Sequence, residues 1–138
     1  MTNWRIEARA LGTPRPQGSK TYLSKGHARE SSDYLPGWRS DVVDAVRRAL
    51  PEGWTTHVGA VLVLLDFAMP RPRYLVGKPT PPHLGKPDAD KLTRAVFDAC
   101  KTAGLVRDDG QFTSAYVVKR YADDDEDPGV RMVFTPGC

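Results

Sequence analysis

The sequence predicts an α+β fold in which a small mixed sheet carries two main helices, in the order β-α-β-α-β-β. The chain has 138 residues, which suits one domain over residues 1–138 with a modest core. Hydrophobic residues make up 40% and charged residues 27% of the composition, as in folded globular proteins. Stretches of strand period and of helix period alternate along the chain, separated by runs rich in Gly and Pro.

The first half predicts a strand, a long loop and a helix. Residues 4–10 alternate apolar and charged side chains, which is typical of a strand with one buried face. Residues 12–37 are rich in Gly, Pro, Ser and basic residues and predict a long loop. Apolar side chains then recur at helical spacing from Trp38 to Ala49, and Pro51 ends this helix.

A central strand and a second loop follow. Residues 60–67 are nearly all apolar, which predicts a strand covered on both faces. Residues 69–87 contain six prolines and several basic residues, so we expect a second long basic loop.

The last third predicts a helix and two strands. A helix should begin near Asp88 and end around residues 102–104, where Gly104 is a stop signal. Residues 112–121 and 130–135 predict two strands joined by a polar, hairpin-type acidic turn.

The bulk properties exclude several classes of protein. The two cysteines, Cys100 and Cys138, give neither a zinc motif nor a disulfide framework. The longest apolar run, residues 60–65, is too short to cross a bilayer, and the N-terminus lacks a signal core. We therefore expect a cytoplasmic protein with no membrane association.

Charge is distributed unevenly along the chain. The net charge of +3 divides into 13 Lys or Arg against 7 Asp or Glu in residues 1–87, and 7 against 10 in residues 88–138. A basic half beside an acidic patch suits an enzyme that holds a polyanion with cations and a metal with carboxylates. Chance clustering on a solvated surface gives the same pattern.

Three carboxylates form the candidate metal site. Asp88 and Asp90 lie at the start of the second helix, and Asp109 lies beyond its end. If the chain runs back along the helix after Gly104, these acids meet and supply the hard oxygen ligands that Mg²⁺ prefers. Such a site can direct a water at a phosphodiester.

Each acid also has a structural explanation. Asp88 can cap the helix, Asp90 can favour its positive end, and Asp108-Asp109-Gly110 can be an ordinary turn. Arg94 is spaced to lie between Asp90 and Asp98 on one helix stripe, where we expect Asp98 to be its structural partner. A cation at Arg94 could also hold the phosphate.

These motifs resemble the RusA family of Holliday junction resolvases. The resemblance runs through Lys86-Pro87-Asp88-Ala89-Asp90, Phe97-Asp98-Ala99, Asp108-Asp109-Gly110-Gln111 and Val117-Val118-Lys119, and more loosely through Gly12-Thr13-Pro14. As a joint pattern, K-P-D-x-D followed by D-D-x-Q is fairly specific. It implies a homodimer that binds four-way DNA junctions and cuts two strands symmetrically in recombination and repair. It also implies a Mg²⁺ ion held by Asp88, Asp90 and Asp109, for which Mn²⁺ can substitute. No small-molecule cofactor is implied.

Two positions depart from the family pattern. The family usually has Asn where this chain has Lys91, and a catalytic Lys where it has Arg94. Arg94 serves if the family Lys acts only electrostatically. If that Lys transfers a proton, activity should be weak or absent, because arginine does not deprotonate.

The basic residues are candidates for DNA contacts, although a solubility role explains each of them too. Tyr22, Tyr34 and Tyr74 add stacking surfaces, which suits branched DNA better than base-edge readout. The cations predicted to contact DNA are Arg15, Lys20, Lys25, Arg71, Arg73, Lys86, Lys91 and Lys119.

Three functions remain open from the sequence. The leading hypothesis is a metal-dependent, junction-selective endonuclease with catalytic residues Asp88, Asp90, Asp109 and Arg94. The alternative is a non-catalytic or weakly active branched-DNA-binding protein of the same fold. A third is a nuclease that prefers flaps or forks. The acidic run of residues 123–127 is expected to be a solvated hairpin tip away from DNA.

Overall fold

The protein has six strands and two α-helices in the part of the chain that the structure describes. A computed structural model describes residues 3–18, 20–22, 28–30 and 34–138, with only the backbone at 20–22 and 28–30. The α+β class and the order of the main elements are confirmed. The elements are β1 Ile6–Leu11, β2 Lys20–Tyr22, β3 Ala28–Glu30, α1 Leu35–Ala49, β4 Val61–Met69, α2 Ala89–Ala103, β5 Phe112–Tyr121 and β6 Gly129–Pro136.

The main sheet is mixed, with the strand order β1-β6-β4-β5. β6 pairs antiparallel with both β1 and β4, whereas β4 and β5 run parallel. The predicted hairpin of β5 and β6 is therefore wrong, because β4 lies between them. A parallel pair needs a crossover connection, and α2 provides it.

The central strand β4 buries one face rather than two. Val61, Val63, Leu65 and Phe67 are fully buried, while Leu62, on the other face, is 44% exposed. The prediction of a strand covered on both faces is wrong: the alternation in burial shows that one face of β4 is more open, a pattern typical of sheets packed on one side only. Both helices contribute buried apolar side chains to the same core cluster.

The first long loop contains more structure than its composition predicts. β2 and β3 form a two-stranded antiparallel ladder within it. α1 begins at Leu35, three residues earlier than predicted, with Pro36 in its first turn. Proline suits that position because the first helical N–H groups have no partner within the helix.

The second loop is mostly irregular, as its prolines predict. Its short 3-10 turn, Arg73–Leu75, buries Leu75. No helix in the described ranges is both long and apolar enough to cross a membrane.

Candidate active site

The start of α2 presents two carboxylates. Asp88 occupies the N-cap position, but its side chain makes no capping hydrogen bond. It contacts Lys86 instead, with the ammonium donating to Oδ2 at 3.2 Å. Asp90 lies in the first helical turn and is exposed. The capping explanation for Asp88 therefore does not hold for its side chain, which leaves the carboxylate free of a backbone role.

Lys119 holds the chain that leads into α2. Its ammonium donates to the carbonyl oxygens of Gly85 at 2.7 Å and Pro87 at 3.0 Å. Since Lys119 lies near the end of β5, these bonds fix the start of α2 at the carboxyl ends of β4 and β5. Two of its three N–H donors are thus used within the chain.

Asp108 and Asp109 have different roles in the turn before β5. Asp108 caps a 3-10 turn, Asp109–Gln111, by a reciprocal capping box: its side chain accepts from the Gln111 backbone, and the Gln111 side chain accepts from the Asp108 backbone. Asp108 also lies 3.9 Å from the Lys101 ammonium. Asp109 is exposed, and its side chain takes no part in that capping box. The structural role in this acidic pair therefore belongs to Asp108.

Gln111 anchors the turn to the body of the protein. Its Oε1 accepts from the backbone N–H of Arg107 at 2.8 Å and of Asp108 at 3.0 Å. Its Nε2 donates to the carbonyl oxygens of His57 at 2.8 Å and Gly59 at 2.9 Å. Both donors and both acceptor directions of the amide are therefore used by backbone groups on two sides of the turn, so the position of Asp109 follows from this side chain.

One cavity of about 450 Å³ brings together groups from both ends of the second helical segment. Asp90 and Arg94 line it from α2, and Asp109 lines it from the turn, although 19 positions separate the two acids. Asp88 does not line it. Its described lining is Ala89, Asp90, Thr93, Arg94, Phe97, Asp109 and Val117.

The packing of the chain after α2 explains how Asp109 returns to this helix. Phe97 of α2 stacks on Phe112 at the start of β5, with ring centroids 4.1 Å apart. Gly104 ends α2 in the left-handed conformation, φ +86°, which turns the chain back. The return along the helix that the acids require is therefore present.

The donor set fits a magnesium ion without forming a three-acid cage. Within the described ranges, no group of three or more His, Cys, Asp or Glu side chains could hold a metal. Mg²⁺ is commonly bound by one or two carboxylates, with waters and substrate phosphate as the other ligands. Asp90 and Asp109 supply two such carboxylates at one cavity. The metal-binding roles of Asp88, Asp90 and Asp109 stay predictions.

Arg94 lies under the first loop. A Cβ atom on Gly18, whose φ is +97°, would overlap the Arg94 guanidinium. The Gln17 N–H donates to the Lys91 carbonyl oxygen at 3.0 Å, which ties the loop to α2. The missing side chain at Gly18 thus makes room for the guanidinium beside the cavity.

Asp98 has a different partner from the one predicted. It pairs with Arg39 of α1 at 3.4 Å, and no ion pair joins Asp98 to Arg94 in the described ranges. The correction follows from helix packing, because α1 and α2 lie against each other and bring Arg39 to this stripe. Asp98 is a link between helices.

Arg71 is not placed to contact DNA. Its side chain is 7% exposed, and it pairs with Asp124 at 2.8 Å. Its N–H groups also donate to Thr80 and to the carbonyl oxygens of Leu75, Lys78 and Ala122. With all five N–H donors engaged, the predicted phosphate contact is corrected: Arg71 holds the second loop together.

The other predicted DNA contacts stay predictions. Arg73 and Lys86 are exposed, and Lys91 is partly buried in α2. The Arg15 guanidinium lies 4.8 Å from the ring centre of Tyr34. Lys25 lies outside the described residues, and of Lys20 only the backbone, in β2, is described.

The acidic turn after β5 is not merely a solvated tip. Glu126 accepts two hydrogen bonds of 2.7 Å from Arg120, which also pairs with Asp66 at 3.0 Å. The hydrogen bonds from Arg120 lower the pKa of Glu126 to about 2. Asp124 binds Arg71 and the N–H of Gly77. The turn thus fastens the second loop and the end of β5, which corrects the sequence interpretation.

Sequence reasoning missed the positioning residues. The signal for Gln111 was present, because an acid followed three residues later by Gln is the capping-box pattern, Asp108 to Gln111. Gly18 had no comparable signal, since only the folded chain shows that Arg94 lies against it.

Comparison with known families agrees with the site. The family of endodeoxyribonuclease RusA matches residues 10–132, nearly the whole chain. The family acts on branched DNA, and it implies nuclease activity that resolves Holliday junctions. No individual curated protein matches the chain.

Proposed function

Because this chain belongs to the RusA family of endodeoxyribonucleases, we propose that it is a Mg²⁺-dependent enzyme that resolves Holliday junctions by paired, symmetric phosphodiester hydrolysis. The observation that carries the proposal is the convergence of Asp90, Arg94 and Asp109 on one cavity. Two acids can hold a metal ion that activates water, and a cation beside them can hold the phosphate, so these three groups suit metal-assisted hydrolysis of a phosphodiester.

Asp90 and Asp109 hold the ion in this proposal. When bound, Mg²⁺ activates a water for attack on phosphorus and stabilises the charge on the departing oxygen. Asp88 is the third ligand, and it becomes available when its ion pair with Lys86 opens. That ion pair is exposed on the lysine side, so opening it costs little.

Arg94 binds the phosphate. Its guanidinium presents paired N–H donors that match two phosphate oxygens, a geometry that a lysine ammonium does not offer. It therefore orients the phosphate and stabilises negative charge, and it transfers no proton. The loop at Gly18 keeps the guanidinium beside the cavity.

The active form is a homodimer in this proposal. A four-way junction has two-fold symmetry, and two symmetric cuts call for two matched sites related by the same axis. Sedimentation of the free protein and of its complex with a junction tests this part by itself.

Cleavage of a labelled four-way junction, with and without Mg²⁺, tests the catalytic proposal. Asp90→Asn and Asp109→Asn are each expected to lower the cleavage rate by more than about 100-fold. Replacing a residue that only hydrogen-bonds to a metal ligand already lowers activity by about 10- to 100-fold. Asp98→Asn is the matched control, because it lies on the same helix but pairs with Arg39. Equal rates for Asp90→Asn and Asp98→Asn would refute the assignment. Fork, flap and linear substrates at one salt concentration establish the structural preference.

A second candidate is a DNA-binding protein without catalysis. It is favoured by one observation, namely that no three-acid metal group exists among the described side chains. In that case the junction binds, no cleavage occurs with Mg²⁺ or Mn²⁺, and Asp90→Asn leaves the affinity unchanged.

A further inference from the structure

A second cavity is lined by part of the segment that leads into α2. Its volume is about 540 Å³, within the range of pockets that hold small ligands. It is formed by the start of the first loop, the end of β4 and the residues before Asp88. Four of the described residues that line it are prolines, namely Pro14, Pro16, Pro70 and Pro87. Their rings give it stiff apolar walls.

Two polar atoms of the cavity residues are buried without a hydrogen-bond partner. These are Nε of Arg15 and Nδ1 of His83. Buried polar atoms are almost always satisfied, so these two unpaired atoms mark Arg15 and His83 as side chains that would gain a hydrogen bond if a bound molecule reoriented them. The His83 ring packs against the Tyr121 ring, with the ring centroids 4.6 Å apart, and this contact favours the observed orientation of His83. Burial, and then Lys119, lower the pKa of His83, so its neutral ring offers both a donor and an acceptor.

The cavity also offers a face for stacking and a positive charge. Tyr34, a residue that is 70% exposed, lines the cavity, and the Arg15 guanidinium lies over one face of its ring. Lys86 adds a second cation, and no acid is present among the described lining residues. Aromatic rings, cations and base-pairing donors and acceptors are the features by which proteins hold a single nucleotide.

We propose that this cavity binds one unpaired nucleotide of branched DNA, next to the strand that is cut. The base lies against the proline and tyrosine surfaces, and Arg15 and Lys86 hold the flanking phosphates. Pro87 directly precedes Asp88, so the nucleotide is held beside the candidate active site. This inference rests on the proposed action on branched DNA, and it names the feature that would recognise the branch.

Selection for branched DNA follows from the cost of unstacking. A base inside a duplex must be unpaired and unstacked before it enters a pocket, whereas a base at a branch point lacks a stacking neighbour, so it leaves its pair at lower cost. A pocket for one base therefore discriminates between a junction and a linear duplex without reading sequence.

Binding measured in EDTA tests the cavity separately from cleavage. Tyr34→Ala is compared with Tyr116→Ala, because the two residues are 70% and 65% exposed but only Tyr34 lines the cavity. Loss of one base–aromatic stack should raise the Kd for a four-way junction about tenfold. The Kd for a linear duplex of the same length should not change, and Tyr116→Ala should leave both values unchanged. His83→Ala supplies a second variant from a different segment and should repeat the junction-specific loss.

A fluorescent base reports on the nucleotide itself. With 2-aminopurine at the branch point, the wild-type protein should change the fluorescence intensity, and Tyr34→Ala should not. If Tyr34→Ala and Tyr116→Ala bind the junction alike, or if Tyr34→Ala weakens junction and duplex binding equally, the cavity proposal is wrong, whether or not the protein cuts junctions. If the Tyr34 and His83 variants show the junction-specific loss of affinity but the wild-type protein never cuts DNA, the proposed catalysis is refuted and the cavity proposal is supported.

Discussion

Gln111 should control the position of Asp109, and its replacement by Met tests this directly. Met has nearly the length of Gln but no amide, so Gln111→Met removes four hydrogen bonds between the turn, the Gln111 side chain and the His57–Gly59 segment. The change keeps Asp109 itself. Any loss of activity then reports on where that carboxylate is held.

The expected loss of stability follows from the exposure of these bonds. Each hydrogen bond contributes about 0.5–1.5 kcal/mol net. Three of the four are exposed and one, to the His57 carbonyl oxygen, is partly buried, so water replaces most of what is removed. We expect the free energy of unfolding to fall by about 2 kcal/mol. For a chain of this size the melting temperature should then fall by roughly 6–10 °C.

Thermal unfolding and junction cleavage are the two assays. A displacement of about 1 Å can cost about 100-fold in rate, so the cleavage rate at 25 °C should fall by about that factor while the protein stays folded. Gln17→Met is the control for stability, because the Gln17 Oε1 is buried without a partner. If Gln111→Met melts at the temperature of Gln17→Met and cuts at the wild-type rate, the anchoring argument is refuted.

Three further predictions concern other parts of the molecule. Gly18→Ala should displace the Arg94 guanidinium and lower the cleavage rate at least tenfold with little change in junction affinity; an unchanged rate would contradict this. The pKa of Glu126 is about 2 in the folded protein, below the ordinary glutamate value of 4.5, so its ion pair stabilises the fold above about pH 5 and is lost as the pH falls towards 2. In a plot of melting temperature against pH, Glu126→Gln should therefore reduce the slope at acid pH. The same slope as in the wild type would contradict a stabilising role for the ion pair. Arg71→Ala should lower the melting temperature, whereas exposed Arg73→Ala should keep it and reduce the salt dependence of DNA binding; the reverse result would restore Arg71 as a DNA contact.

Local patterns predicted the elements of the fold but not all of their pairings. Period-two alternation, apolar runs and helical spacing predict β1, α1, β4, α2, β5 and β6 from neighbouring residues, and the structure has these elements. β2 and β3, in contrast, lie in a segment whose composition predicts a loop. The position of β4 between β5 and β6 depends on contacts between distant segments. At Gly129, a Cβ would meet the carbonyl oxygen of Ala10, which shows how closely β6 approaches β1. The sequence of the acidic turn does not distinguish a hairpin from a connection between two strands that are not neighbours.

The candidate site could also be predicted only in part, because local patterns identify residues but not their distant partners. Asp90, Arg94 and Asp109 were predicted from residue type and motif, and the structure brings them to one cavity. Which basic loop residue is internal was not predictable, because Arg71 and Arg73 look alike in sequence and differ only in what surrounds them. The Asp98 partner was assigned within its own helix, since single-helix spacing says nothing about α1.

β5 is an edge strand of the main sheet, and this position determines where the native protein opens locally. β5 is hydrogen-bonded on one side, to β4, and its first half is largely exposed. Amides in such a strand exchange with solvent through small openings that leave the rest of the molecule folded. Since Asp109 directly precedes β5 and Asp90 belongs to a helix packed on the core, each opening of that margin would separate the two carboxylates. A bound ion that bridges them would slow amide exchange in β5 far more than in β6.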